Sequence, residues 1–201
     1  MKDIEQLIGA LSQLQKQKEF DININIPVKN QAFFDCIQLN NIICETNNSP
    51  IKFCNNSFIF PHITLKMGTV NSNCFENIII KLGDFTKTCR AIRISPLPVI
   101  LKSPANKYYF SEIDEDSLIG ISAELDKLLK DEMQLPRFPL SKDNLHHITL
   151  GYKYPNDLEL APVIGKTIAP FIAERIQVSI MGKFGVCIGV LKTFYLNESH
   201  H

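Results

Sequence analysis

Two segments of the chain repeat one pattern of side chains that is suited to acid–base chemistry. The tetrapeptide His-Ile-Thr-Leu occurs at residues 62–65 and again at residues 147–150. Each copy has the composition of a short β-strand, in which successive side chains point to opposite faces. The histidine and the threonine of each copy therefore lie on one face, roughly 6.5 Å apart at Cα. The isoleucine and the leucine point to the other face, where a hydrophobic core can receive them.

Two such histidines can divide the work of a displacement at phosphorus, because the imidazole group titrates near neutral pH. A neutral imidazole takes a proton from the attacking water or hydroxyl, and a protonated one gives a proton to the leaving oxygen. Each role is typically worth about 10²–10⁴ in rate. Thr64 and Thr149 can each donate a hydrogen bond to a non-bridging phosphate oxygen. We expect His62 and His147 to face one cleft and to act on a phosphate ester.

Further residues near the two motifs are candidates for substrate binding. Uninterrupted alternation places Lys66 on the face of the first histidine and threonine, and Lys153 on the face of the second pair. Either lysine could neutralise phosphate charge, or could be a strand-end lysine that reaches solvent. Tyr152 and several other aromatic residues could stack on a base. The other aromatic candidates are Tyr108, Tyr109, Tyr154, Phe138 and Phe58.

Other interpretations of the same residues remain open. A His-x-Thr segment can be a core histidine that is hydrogen-bonded by its threonine. His146 is one residue out of phase with His147, so we predict that it faces away and is structural. A metal site would be incomplete, since the two motif histidines have no nearby set of carboxylates or thiolates. We therefore expect no metal and no cofactor, and a serine-type triad would need a GxSxG-like turn that is absent.

The composition is typical of a folded domain without a dominant charge. The chain has 201 residues, is 45% hydrophobic and contains 21 basic and 21 acidic residues. This balance argues against a protein that holds long nucleic acid through many phosphate contacts. No segment approaches the roughly 18 apolar residues that span a membrane, and no secretory signal is recognisable. The six cysteines lack regular zinc spacing, so we expect free thiols and a cytoplasmic location.

The hydrophobic periodicity predicts an α+β organisation around the two motif strands. We predict an amphipathic helix at residues 1–19, a single bilobal domain at residues 20–196, and a tail at residues 197–201 that resembles the start of an expression tag. Strands are predicted at 21–28, 57–69, 90–101, 107–113, 145–153, 174–181 and 184–196, and helices at 31–46, 73–88, 116–134 and 157–172. The acidic residues Glu112, Asp114, Glu115 and Asp116 are predicted to be a solvated cluster at the start of the third of these helices.

The predicted element order repeats with a period of about 85 residues, counted from one motif histidine to the other. Each motif strand is predicted to be followed by a helix and then by paired strands. Because the motif takes the same place in both halves, we favour a shared chemical role over two unrelated core histidines.

The two motifs resemble those of the 2H phosphoesterase superfamily, whose hallmark is a pair of His-x-Thr/Ser-x segments with apolar residues at x. Both copies match in full, and the element order is similar to that of the RNA 2',3'-cyclic phosphodiesterase / 2'-5' RNA ligase group. The resemblance implies a bilobal, pseudo-two-fold α+β fold with two antiparallel sheets lining a central cleft and helices outside. It also implies metal-independent opening of a 2',3'-cyclic phosphate or cleavage of 2'-5' linkages. His62, Thr64, His147 and Thr149 would be the catalytic residues.

Two features depart from this pattern. The predicted N-terminal helix is additional to the usual strand start, and the neutral charge shows no extended RNA track. The substrate is therefore left open among RNA ends, 2'-5' oligonucleotides, small cyclic nucleotides and a cyclic ADP-ribose phosphate. A module that binds a nucleotide or an RNA terminus without turnover is the alternative, and an interaction domain that uses the N-terminal helix is a third hypothesis. The oligomeric state is undecided at this point.

Overall fold

The computed structural model describes residues 18–53, 59–102, 108–113, 116–134, 146–154, 159–182 and 185–197. Most of the predicted N-terminal helix and the end of the tail lie outside these ranges, as do Phe58 and Phe138. The described ranges contain α-helices α1 (Asn30–Asn47), α2 (Phe75–Thr86) and α3 (Asp116–Leu128). Their strands are β1 (Glu19–Pro27), β2 (His62–Asn71), β3 (Ile92–Ile94), β4 (Ile100–Lys102), β5 (Tyr108–Glu112), β6 (Met133–Gln134), β7 (His147–Tyr152), β8 (Phe171–Ala173), β9 (Arg175–Met181) and β10 (Cys187–Tyr195).

One antiparallel sheet carries both motif strands at its centre. Its strand order is β10-β9-β1-β2-β7-β5-β4, with β6 paired to β2 outside this path. The two halves of the sheet meet where Ile63 of β2 pairs with Ile148 of β7. The two predicted sheets are therefore two halves of one sheet, joined at the motifs themselves. A separate two-stranded sheet consists of β3 and β8.

The apolar positions of the strands form a core under the helices. Ile22, Ile24 and Ile26 of β1 are completely buried, as alternation along this strand predicts. Burying one such side chain stabilises the fold by about 1.5–3 kcal/mol. Helix α1 contacts β7, and helix α3 contacts β2. Each helix therefore lies against the motif strand of the other half, so that packing of the helices also sets how the two motifs approach each other.

Most predicted elements are confirmed, but the helix predicted at 157–172 is wrong. Residues 159–170 form turns and irregular structure, and 171–173 form strand β8. Pro162 and Pro170 lack the backbone N–H that a helix needs. Gly165 has a φ of 79°, a left-handed conformation that interrupts a helix and that glycine adopts readily.

The repeat consequently has a different form from the predicted one. The second motif strand is not followed by a helix in the described residues 159–182. What recurs is a strand, a helix and then a motif strand that pairs back with the first strand: β1-α1-β2 and β5-α3-β7. The predicted hairpin is confirmed for β4 and β5, whereas β3 pairs with β8.

The five cysteines among the described residues, Cys36, Cys44, Cys74, Cys89 and Cys187, are free thiols. None of the described helices has both the length and the apolar character needed to cross a bilayer.

Candidate active site

The strand pair β2–β7 places the four motif side chains on one face of the sheet. Continuing the antiparallel register by one residue from the Ile63–Ile148 pair sets His62 opposite Thr149, and Thr64 opposite His147. Directly opposite residues have Cβ atoms about 4.5–5.5 Å apart, and diagonal neighbours are about 7–8 Å apart. The two imidazoles are therefore diagonal neighbours, at a spacing that can bracket one phosphate group.

The apolar residues of the two motifs occupy the opposite face, as predicted. Ile63, Ile148 and Leu150 are completely buried, and Leu65 is 7% exposed. All four belong to the main hydrophobic core. Each tetrapeptide thus anchors its strand with two side chains in the core. Its histidine and threonine lie on the other face of the sheet, which is called the site face below.

Each motif strand contains a β-bulge immediately after its threonine. Along β2, Thr64 pairs with Asn25 and Lys66 pairs with Ile24, so Leu65 is an extra residue between two consecutive partners. A bulge of this kind shifts the alternation of side chains by one position. Residues beyond Leu65 therefore point to the face opposite to the one that unbroken alternation predicts.

The second motif has the same irregularity at the equivalent position. Along β7, Thr149 pairs with Phe110 and Gly151 pairs with Tyr109, so Leu150 is the extra residue. Because the bulge is at the leucine in both copies, the repeated tetrapeptide corresponds to a repeated backbone geometry as well as to repeated side chains.

The predicted shared face of Lys66 with the motif residues is wrong, because the bulge intervenes. Lys66 pairs with Ile24, whose side chain is in the core, and its Nζ lies 2.5 Å from Oδ1 of Asp126 on α3. The side chain of Lys66 is 16% exposed and ties α3 to β2. This lysine therefore lies on the helix-covered side of the sheet.

The bulge in β7 likewise changes which residue accompanies the second motif. At Gly151, a Cβ atom would meet the Cγ2 methyl of Ile43 on α1 at 2.8 Å, so this position faces the helix. Tyr152 is the next residue on the site face, opposite Tyr108. Lys153 follows the end of β7 and is half-buried, so its predicted alignment with the second motif depended on an alternation that the bulge interrupts.

His62 is held in a defined neutral form by its surroundings. Its Nδ1 lies 3.0 Å from the carbonyl oxygen of Phe60. A carbonyl oxygen only accepts hydrogen bonds, so Nδ1 carries the proton and Nε2 keeps its lone pair. Desolvation lowers the pKa of His62 from 6.5 to about 4, opposed by the bond to Phe60 and assisted by the charge on His147. This is the state that a general base requires.

His147 has a different environment, open to solvent. It is exposed, and its ring lies against that of Phe110 with centroids 5.1 Å apart. Glu112 of β5 is its direct cross-strand partner. The sequence pattern assigned Glu112 to a solvated cluster before α3, but the strand pairing sets this carboxylate-bearing residue beside a motif histidine.

Aromatic residues line the site on the side of β5 and β7. Tyr108 and Tyr152 have ring centroids 4.4 Å apart at an interplanar angle of 61°. Burial of Tyr152, with contributions from Tyr108, raises the pKa of its hydroxyl, which therefore stays protonated. Of the three predicted substrate-binding residues, Tyr152 is therefore the one that shares a face with Thr149.

A further aromatic residue lies beside the first motif. The centroid of the Phe60 ring is 5.8 Å from that of His62.

His146 points away from the motif residues, as predicted. It is 9% exposed, and its Nε2 lies 2.7 Å from the hydroxyl oxygen of Ser122 on α3. Its proximity to His147 in sequence therefore does not bring it to the site face.

Two asparagines of β1 are site residues that the sequence pattern did not identify. Asn23 and Asn25 are the polar positions of a strand predicted to be half-buried, yet both are completely buried. The side-chain amide of Asn23 donates a hydrogen bond to Oγ1 of Thr64, at 2.9 Å. The alternating Asn-Ile pattern was the available signal, but it is equally typical of a strand with a solvated polar face.

Among the described residues, no three histidine, cysteine or acidic side chains form a cluster that could hold a metal ion.

Comparisons with known proteins identify the fold. No protein-family model matches the chain, and no curated protein matches it. The solved structure of E. coli LigT bound to 3'-AMP aligns with a TM-score of 0.64 at 11% identity, covering 89% of this chain and 99% of LigT. TT0787 of Thermus thermophilus aligns with a TM-score of 0.63 at 12% identity, covering 90% of this chain and all of that one. A structure described as a phosphoesterase has a TM-score of 0.59 at 12% identity, covering 89% of this chain and 98% of that one. The chain therefore has the LigT-like 2H phosphoesterase fold that the motif resemblance implied.

Proposed function

We propose that this chain is a metal-independent phosphodiesterase that acts on a 2',3'-cyclic phosphate or on 2'-5'-linked nucleotide or RNA ends. The supporting observation is that one strand pair sets both His/Thr pairs side by side on a single face, although 85 residues separate them in sequence. The fold shared with LigT and TT0787 is consistent with this proposal.

The two histidines have different roles in this mechanism. Nε2 of His62 takes a proton from water as the water oxygen attacks phosphorus. Protonated His147, which is exposed, gives its proton to the ribose 3' oxygen as the bond from that oxygen to phosphorus breaks. The product carries a 2'-phosphate, and the two histidines have exchanged protonation states. Proton exchange with solvent then restores the starting state.

The two threonines stabilise the charge that develops during this displacement. Thr64 and Thr149 lie on the same face as the histidines, and each hydroxyl can donate to a non-bridging phosphate oxygen. A substrate bound this way would place its base toward the aromatic side of the site, where Tyr152 offers a stacking surface. LigT has been crystallised with 3'-AMP, ATP and NADP⁺, and this supports a nucleotide-containing substrate here.

The proposed activity is tested directly with small substrates. The protein is incubated with each nucleoside 2',3'-cyclic monophosphate and with 2'-5' oligoadenylate, in the presence of a chelator, and the products are separated by chromatography. We expect a nucleoside 2'-phosphate from the cyclic compounds or shortened oligonucleotides from the oligoadenylate. Measurable binding without any product would instead support a nucleotide-binding module.

The depressed pKa of His62 predicts an unusual acid limb in the pH dependence of kcat/KM. Because the neutral form persists down to a pH of about 4, activity should fall with a midpoint near pH 4 and not near pH 6.5. The profile is measured by initial rates from pH 3.5 to pH 9. An acid limb centred near pH 6.5 would contradict the assignment of His62 as the base.

This measurement needs a stability control, because the same pKa difference affects folding. The unfolded state binds a proton at His62 more readily than the folded state, so folding stability decreases as the pH falls from 6.5 toward 4. Circular dichroism at each pH separates loss of fold from loss of the base. The variant His62→Gln should lack this contribution to the pH dependence of stability.

A further inference from the structure

We propose that Asn23 is a positioning residue, which directs the hydroxyl hydrogen of Thr64 toward the phosphate of the substrate. This inference rests on the proposed function, since it assigns Asn23 a part in the same phosphodiester chemistry. Asn23 is completely buried, so it acts through Thr64 and not by touching the substrate.

Buried polar groups contact both the side chain and the backbone of Asn23 on the site face of the sheet. Its Nδ2 lies 2.9 Å from Oγ1 of Thr64. The backbone carbonyl of Asn23 accepts a hydrogen bond from Nδ2 of Asn25 at 3.2 Å. Asn25 also donates to the hydroxyl of Ser179, at 3.0 Å, and lies 3.4 Å from Sγ of Cys187. These buried polar groups of β1, β9 and β10 therefore fix the backbone at Asn23, from which the amide reaches Thr64.

The direction of the hydrogen bond determines what the threonine can do. A hydroxyl group has one hydrogen to donate and two lone pairs that accept. When Asn23 donates to Oγ1, one lone pair is occupied and the hydrogen of Thr64 remains available for a phosphate oxygen. Such a preorganised donor needs no reorientation when charge develops on the phosphate.

The opposite orientation of the amide would have the opposite effect. If Oδ1 of Asn23 faced Thr64, the hydroxyl would donate its hydrogen to the amide and lose it for the substrate.

The two halves of the site differ at this position, which provides an internal control. In the first half, Thr64 is opposite Asn25, and Asn23 lies two residues before Asn25 on β1. In the second half, Thr149 is opposite Phe110, and Tyr108 takes the place that corresponds to Asn23. Aromatic residues of β5 therefore stand where β1 has amides, and Asn23 should influence one threonine and not the other.

A double-mutant cycle on kcat tests the proposal. Asn23→Ala should lower kcat about tenfold with little change in KM, as expected for loss of one positioning hydrogen bond. In a Thr64→Val background the same substitution should cause no further loss, because its target hydroxyl is absent. In a Thr149→Val background it should again cause the full loss. Equal losses in both backgrounds, or none in the native chain, would overturn the inference.

Further variants separate positioning from folding. Asn25→Ala removes an equally buried amide of the same strand and should lower thermal stability with a smaller effect on kcat. Asn23→Ser keeps a polar group but is too short to reach Thr64, so its kcat should match that of Asn23→Ala. It replaces Asn23→Ala in the cycle if the alanine variant folds poorly. Asn23→Leu, which is close in volume to asparagine and forms no hydrogen bond, should lose as much activity as Asn23→Ala. Native-like activity of Asn23→Leu would overturn the role of the amide.

The outcomes distinguish this inference from the proposed function. If Thr64→Val keeps full activity, Thr64 is not part of the chemistry and its role in the proposed function fails. If Thr64→Val loses activity but Asn23→Ala does not, the proposed function stands and only the role of Asn23 is overturned.

Discussion

Replacing either His62 or His147 by alanine should lower kcat on a 2',3'-cyclic phosphate by about 10²–10⁴-fold. The first substitution removes the base that accepts the proton of water, and the second removes the acid that protonates the leaving oxygen. Because the two roles belong to one displacement, the double variant should lose less than the product of the two single losses. Initial rates with saturating substrate measure each effect.

His146 provides the matched control for this experiment. It adjoins His147 in sequence, but it is buried against Ser122 on the other side of the strand. His146→Gln should therefore keep most of the activity per folded molecule, even if it lowers stability. Thermal unfolding of all variants verifies that activity is compared among folded proteins. Retained turnover in both His62→Ala and His147→Ala would refute the mechanism.

Substitution of Asn40 by alanine should lower the free energy of unfolding by about 2–4 kcal/mol. Asn40 on α1 is completely buried, and its Nδ2 donates to the carbonyl oxygens of Ile51, at 2.8 Å, and of Leu150, at 2.7 Å. Its Oδ1 accepts from the backbone N–H of Phe53, at 2.7 Å. Leu150 is the bulged residue of the second motif, so this amide fastens α1 to the bulge.

Urea denaturation measures this loss, with Asn41→Ala as the matched control. Asn41 is the next residue of the same helix and is only half-buried, so its replacement should change stability by a few tenths of a kcal/mol. Since Asn40 supports the motif strand, the folded fraction of Asn40→Ala should also show reduced kcat. An unfolding free energy equal to that of Asn41→Ala would mean that solvent replaces all three bonds without cost.

Strand alternation was sufficient to predict which motif residues share a face. His and Thr two positions apart must point the same way in a strand, and Ile and Leu must then enter the core; both expectations hold in β2 and β7. The same local reasoning failed for Lys66, because a bulge depends on how two strands pair and leaves no mark in the periodicity of one strand. The helix prediction for residues 157–172 was wrong for a related reason. Their apolar spacing matches that of a helix, whereas Pro162 and Pro170 interrupt one.

The amino-acid sequence by itself determined the chemical character of this protein: two His/Thr pairs on strand faces, a core-forming set of apolar residues and the fold class. These are consequences of side-chain type and of the two-residue period of a strand, which act locally. The tertiary structure alone decided that His62 lies diagonal to His147 and that Lys66 lies on the helix-covered side of the sheet. It also decided that a buried amide of β1 contacts Thr64. Register between strands distant in sequence is set by packing of the whole core, and desolvation, which distinguishes His62 from its repeat, arises only when that core has formed.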